Sequence, residues 1–88
     1  MTTPEHARQK VYVAISRERA YQDRTWGTTG HTVGEWLLIL ESELAEAKQG
    51  WVKGHGNGEA LSEILQVAAV AVACLEAHGI VERQELAL

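Results

Sequence analysis

The segment EALSEILQVAAVAVACLEAH, residues 59–78, is long enough for a helix and apolar over most of its length. At its start, Glu59, Glu63 and Gln66 share one helical face, at i, i+4 and i+7. From Val67 to Leu75 every residue is apolar. A helix that is hydrophobic all round is buried all round, and this uninterrupted run is too short for a bilayer, which needs roughly 20 apolar residues. The expectation is a core helix with carboxylates at its entrance.

The chain around it has 88 residues and a net charge of −4. That is one domain, 1–88, at the low end of what encloses a core unaided, so self-association is expected. The acidic balance argues against nucleic acid as a partner. Arg8, Lys10, Arg17, Arg19 and Arg24 cluster in the first part of the chain, either as a solvated helix face or as a phosphate-facing one. Cys74 is the sole cysteine, which excludes an internal disulfide and reads as a small core residue. The opening MTTPEHARQK has no apolar stretch, so no signal or transit peptide is expected, and a cytoplasmic location with no membrane partner follows.

Three helices and a short fourth are expected. Thr3-Pro4 starts the first, to about Gln22, with Ala7, Val11, Ala14, Ile15 and Tyr21 as its apolar stripe. Residues 23–34, DRTWGTTGHTVG, read as a loop. Thr32 and Glu35 form a capping box for the second helix, whose buried face is Trp36, Leu37, Leu40, Leu44 and Ala47, with Gly50 as its stop. GWVKGHGNG, residues 50–58, is a flexible connection without the Gly-Lys-Ser/Thr ending of a phosphate-binding loop. Asn57 is the expected cap of the third helix and Gly79 its end. The tail IVERQELAL would pack through Ile80, Val81, Leu86 and Leu88.

The second helix carries Glu41, Glu43 and Glu46. If it packs antiparallel to the third, Glu43 and Glu46 face Glu63 and Gln66 across the seam. Converging carboxylates repel unless a cation lies between them, and oxygen-only ligands suit magnesium or manganese. The alternative is four ordinary solvated side chains. Gln66 has a second reading too, as a buried amide pairing with its symmetry mate across a subunit interface. His6, His31, His55 and His78 lack paired ligand spacing, so no zinc centre is expected; His55 is a possible phosphate contact.

The run WLLILESELAEA (Trp36–Ala47) followed by SEILQVAAVAVACLEAHG (Ser62–Gly79) resembles the MazG-like all-α nucleoside triphosphate pyrophosphohydrolases. RTWG (Arg24–Gly27) resembles a Trp-Gly segment ahead of that helix in small phage and bacterial members. The family pattern is Glu-Glu-x-x-Glu on one helix and Glu-x-x-Asp on the next, holding magnesium that binds the triphosphate. Carried over, Ser42 stands for the first glutamate, Glu43 and Glu46 match the others, Glu63 matches the next, and Gln66 replaces the aspartate. Two acidic positions are thus neutral, and Glu41 or Glu59 are candidate substitutes.

The resemblance implies an all-α homo-oligomer, dimer or tetramer, with a four-helix core. It implies magnesium-dependent cleavage of a nucleoside triphosphate to monophosphate and pyrophosphate, with Glu43, Glu46 and Glu63 catalytic and Gln66 completing the metal set. Lys48 and Lys53 are candidates for the outer phosphates, or plain surface lysines. Trp26 and Trp51 are candidates for stacking a base, or covers for the core. The alternative function is a non-catalytic helical oligomer that binds a nucleotide or a protein partner.

Overall fold

The computed structural model describes residues 3–28 and 30–86. Among them it is all-helical and contains no strand: α1 (Pro4–Trp26), α2 (Val33–Val52), α3 (Gly56–His78) and a 3-10 turn, Gln84–Leu86. The local chemistry accounts for most boundaries. Thr3 accepts a hydrogen bond from the His6 backbone N–H, with proline in the first turn. The capping box is complete: the Thr32 N–H donates to Glu35 Oε1 at 2.7 Å, and the Glu35 N–H donates to Thr32 Oγ1 at 3.1 Å. Those bonds, the Thr32 backbone one first, hold the Glu35 carboxyl below its ordinary pKa.

Several boundaries differ from the sequence expectation. α1 continues through Asp23–Trp26 and stops at Gly27, because nothing in that stretch forbids helix until the glycine. Gly50 does not stop α2; it is a buried interior residue, and Lys53 is the cap. Asn57 does not cap α3. The helix starts at Gly56 with His55 at the cap position and no side-chain cap bond. Gly54 and Gly56, at φ 79° and 84°, let the chain reverse in three residues, a left-handed geometry that side chains with a Cβ resist. The tail forms the short turn, but Ile80 and Val81 are exposed, Val81 fully at 99%; Leu88 lies outside the described residues.

α2 and α3 form an antiparallel hairpin, and α1 packs on α3 alone. The buried residues are mostly small: Ala47 and Gly50 on α2, and Ala60, Ala69 and Ala73 beside Val70 on α3. A Cβ on Gly50 would stand 3.3 Å from Glu59 Oε1, so the helices approach closely there. At the other end His78 Nε2 lies 2.7 Å from the His31 carbonyl. Arg19 fastens α1 to α3 through a 2.6 Å bond to Glu76 Oε1. Partial burial works to lower the Arg19 pKa, and the bonds to Glu76 and Asp23 outweigh it, so the guanidinium sits above its ordinary value.

The core is thin. Leu37 (61% exposed) and Leu44 (57%) lie outside it, contrary to the sequence reading. The inward face of α2 instead runs through Trp36, Ile39, Leu40, Glu43, Ala47 and Gly50, one helical stripe over. Val11 and Tyr21 are likewise exposed on α1. α3 is covered on one side only; Leu61, Ile64 and Leu75 remain open. By length and composition α3 could also cross a membrane. The radius of gyration is 14.7 Å, against about 12 Å for a compact domain of this length. The accessible surface is 7099 Å², roughly 2,000 Å² above that of a self-contained chain of this mass.

Ala69 is wholly inaccessible (0%). Ala69→Leu forces three extra carbons into closed packing and is expected to cost about 1–3 kcal/mol, read as a lower midpoint in urea unfolding.

Candidate functional site

The close α2–α3 approach sets the geometry of the acidic residues. Glu43 and Glu46, one turn apart on α2, and Glu63 on α3 each bring a carboxylate oxygen within 4.8 Å of the others. Glu43 and Glu63 are half-buried and Glu46 is exposed. Glu63 Oε2 is covered from solvent and has no hydrogen-bond partner, a costly state for a carboxylate oxygen. Among the described residues no Lys, Arg or His forms an ion pair with any of the three. Burial, then Glu46, Glu63 and Glu18 in decreasing order, raise the Glu43 pKa above its ordinary value.

Glu18 is the contributor that sequence spacing did not reveal. It lies on α1, half-buried, and its Oε2 accepts a 3.3 Å bond from Gln22 Nε2. Gln22 Nε2 also lies 3.4 Å from the Gln66 backbone carbonyl. No sequence signal marked Glu18 for this role beyond its place in α1.

Two clefts flank the acidic cluster. The first, of 430 Å³, is lined by Trp26, His31, Trp36, Ile39, Glu43 and Val70 among others, with the His31 ring edge-on to Trp36 at 4.9 Å. Trp36 Nε1 is covered and unpartnered. The second, of 460 Å³, holds Glu46, Glu63, Ser42, Lys53, His55 and Glu59. Glu43 therefore opens on one cleft and Glu46 and Glu63 on the other.

The structure brings together Glu43, Glu46 and Glu63, as the spacing suggested, and puts Trp26 and Lys53 at the two clefts. Gln66 lines neither cleft, and its recorded contact is through its backbone carbonyl. Lys48 and Trp51 are exposed and line neither. Glu59 is engaged by His55 Nδ1 at 2.9 Å and lies outside the trio, as does the exposed Glu41.

Opposed ligands on one divalent ion lie roughly 4.2 Å apart for magnesium and roughly 4.8 Å for calcium, twice the metal–oxygen distance. The carboxylate oxygens of the trio thus lie within the separation that two ligands of one divalent ion span. Among known proteins, no family model matches this chain, and neither does any curated protein or solved structure.

Because the folded-state pKa of Glu43 is raised, its stability contribution is full below the ordinary glutamate pKa. It is lost as pH rises through the folded-state value. Without divalent cations, Glu43→Gln is expected to raise the melting temperature at neutral pH and flatten its fall between pH 4 and 7, as followed by circular dichroism. An unchanged slope removes Glu43 as the strained group.

Proposed function

We propose that this chain is a MazG-like, magnesium-dependent nucleotide pyrophosphohydrolase, converting a nucleoside triphosphate to a monophosphate and pyrophosphate. One observation carries the reading: three uncompensated carboxylates from two helices meet between an aromatic-lined cleft and a lysine-bearing one. The residues assign themselves accordingly. Trp26, joined by Trp36, stacks the base in the first cleft. Lys53 faces the outer phosphates in the second, where a point charge suits a phosphate tail.

Glu43, Glu46 and Glu63 would hold magnesium or manganese, which when bound supplies the charge that offsets the phosphates. Water attacks phosphorus, forming one P–O bond as the bond to the departing pyrophosphate breaks. One of these glutamates, or Glu59, would position the attacking water and take its proton.

The second reading, a non-catalytic nucleotide- or protein-binding oligomer, is favoured by the neutral Ser42 and by Gln66, whose recorded bond is made by its backbone. Incubation with magnesium and a panel of nucleoside triphosphates separates the two. Pyrophosphate release is expected, reduced at least about a hundredfold by Glu63→Gln, while Gln66→Asp strengthens magnesium-dependent stabilisation. Calorimetric binding of a non-hydrolysable triphosphate with no release from any substrate selects the second reading.

We also propose that the molecule is a homo-oligomer, dimer or tetramer, with a four-helix core. The excess surface of roughly 2,000 Å² per chain, about 4,000 Å² for a pair, falls in the range that obligate homodimer interfaces bury. Leu61, Ile64, Ala68, Ala71 and Leu75 recur along the open side of α3 at three- and four-residue intervals, and Val33, Leu37 and Leu44 lie exposed along α2 at intervals of four and seven, spacings suited to a helical seam. Leu44→Glu is expected to shift the sedimenting species to monomer. A wild-type monomer at micromolar concentration overturns this.

A further inference from the structure

We infer that the amino-terminal part of α1, residues 4–13, is an arm that seats its Ala7 and Val11 face on the acidic α2–α3 hairpin of a second copy of this chain. The inference rests on the homo-oligomer proposed above and adds to its four-helix core a separate contact from a third helix.

The stripe by which α1 meets its own chain runs through Gln22, Glu18 and Ile15, at helical spacing. Gln22 is buried, and Glu18 and Ile15 are half-buried. Toward the amino end the same stripe continues as Val11 and Ala7, and there its cover ends. Every residue from 3 to 13 is exposed, Val11 at 53%. About 15 Å of helix thus buries nothing against its own chain. A free helix that short is marginal in water, yet this one is capped by Thr3 and opens with proline. A helix started so firmly, with an apolar stripe left open, has its cover on another molecule.

Charge identifies that molecule. Residues 4–17 carry three permanent cations, Arg8, Lys10 and Arg17, against one carboxylate, Glu5. None of the three cations forms an ion pair among the described residues, and Arg8 and Lys10 flank the open stripe on either side. Residues 33–78 carry seven carboxylates against two lysines. Two arms laid on each other would oppose like charges. An arm laid on a hairpin pairs unlike ones, and a two-fold axis makes that contact twice. An anionic lipid surface would draw the arm but repel the hairpin. Part of the roughly 2,000 Å² per copy in excess of a self-contained surface lies on this arm.

Val11 and Val13 lie on opposite faces of α1 and are about equally exposed, at 53% and 48%, so one serves as the control for the other. Val11→Glu is expected to raise the dissociation constant of the oligomer about tenfold or more in sedimentation equilibrium. Val13→Glu is expected to leave it within twofold, with helix content unchanged in both. Carbodiimide treatment of mixed unlabelled and isotope-labelled wild type is expected to join Lys10 to a glutamate of residues 33–78 in peptides of mixed label. Val11→Glu within twofold of wild type, or equal weakening by both variants, overturns the arm contact and leaves the four-helix core standing. Lys10 joined only within its own chain, or not at all, does the same. Phosphatidylglycerol vesicles that pellet wild type but not Val11→Glu, with self-association equal in the two, make the arm a lipid-binding segment and overturn it. A wild type that stays monomeric at micromolar concentration overturns this inference together with the homo-oligomer.

Discussion

Close contact between α2 and α3 is the constraint on which the rest of the molecule depends. Ala47 and Gly50 on α2 and Ala60 on α3 are buried toward the turn that joins the two helices, and a Cβ on Gly50 would stand 3.3 Å from Glu59 Oε1, so the helices approach closely at that end. There Glu43, Glu46 and Glu63 end with carboxylate oxygens within 4.8 Å of one another, Glu43 and Glu63 half-buried and Glu46 exposed. Electrostatic repulsion and the small-residue seam are therefore one design: the packing that stabilises the hairpin is what concentrates its negative charge.

The same economy leaves the hairpin incomplete. A core made mostly of alanines removes little apolar area per residue from water, and hydrophobic stabilisation scales with that area. The large side chains, Leu37, Leu44, Leu61 and Ile64 among them, sit on outer faces. An isolated chain of this kind holds its weakest packing at its centre and its strongest adhesive potential outside, which is the reverse of a self-sufficient domain.

What the sequence disclosed followed from local rules. Thr32 and Glu35 declare a helix start by their spacing alone, and the short glycine-bearing connection makes antiparallel neighbours of α2 and α3, which brings Glu43 and Glu46 to Glu63. Other features depend on a choice that periodicity leaves open. α2 is apolar on more than one side, so Leu37 and Leu44 were as eligible for the core as Ile39, and only the packing of α3 selects between the stripes. Asn57 is a good capping residue in isolation, but the glycine on its amino side already turns the chain. Glu18 was invisible because the way α1 lies across α3 is encoded in no short-range spacing; it emerges from the Gln22 and Arg19 bonds acting at once.

α1 touches only one other helix, and that contact has a mechanical meaning. Its attachment rests on two polar links, at Gln22 and at Arg19, with few apolar residues beneath them. Elements held in this way detach at lower free energy than the body they rest on. Since α1 also contributes Trp26 and Asp23 to one wall of the aromatic cleft, undocking and flooding of that cleft are a single event. The wall of the cleft therefore stands or falls with the Gln22 and Arg19 bonds that seat α1.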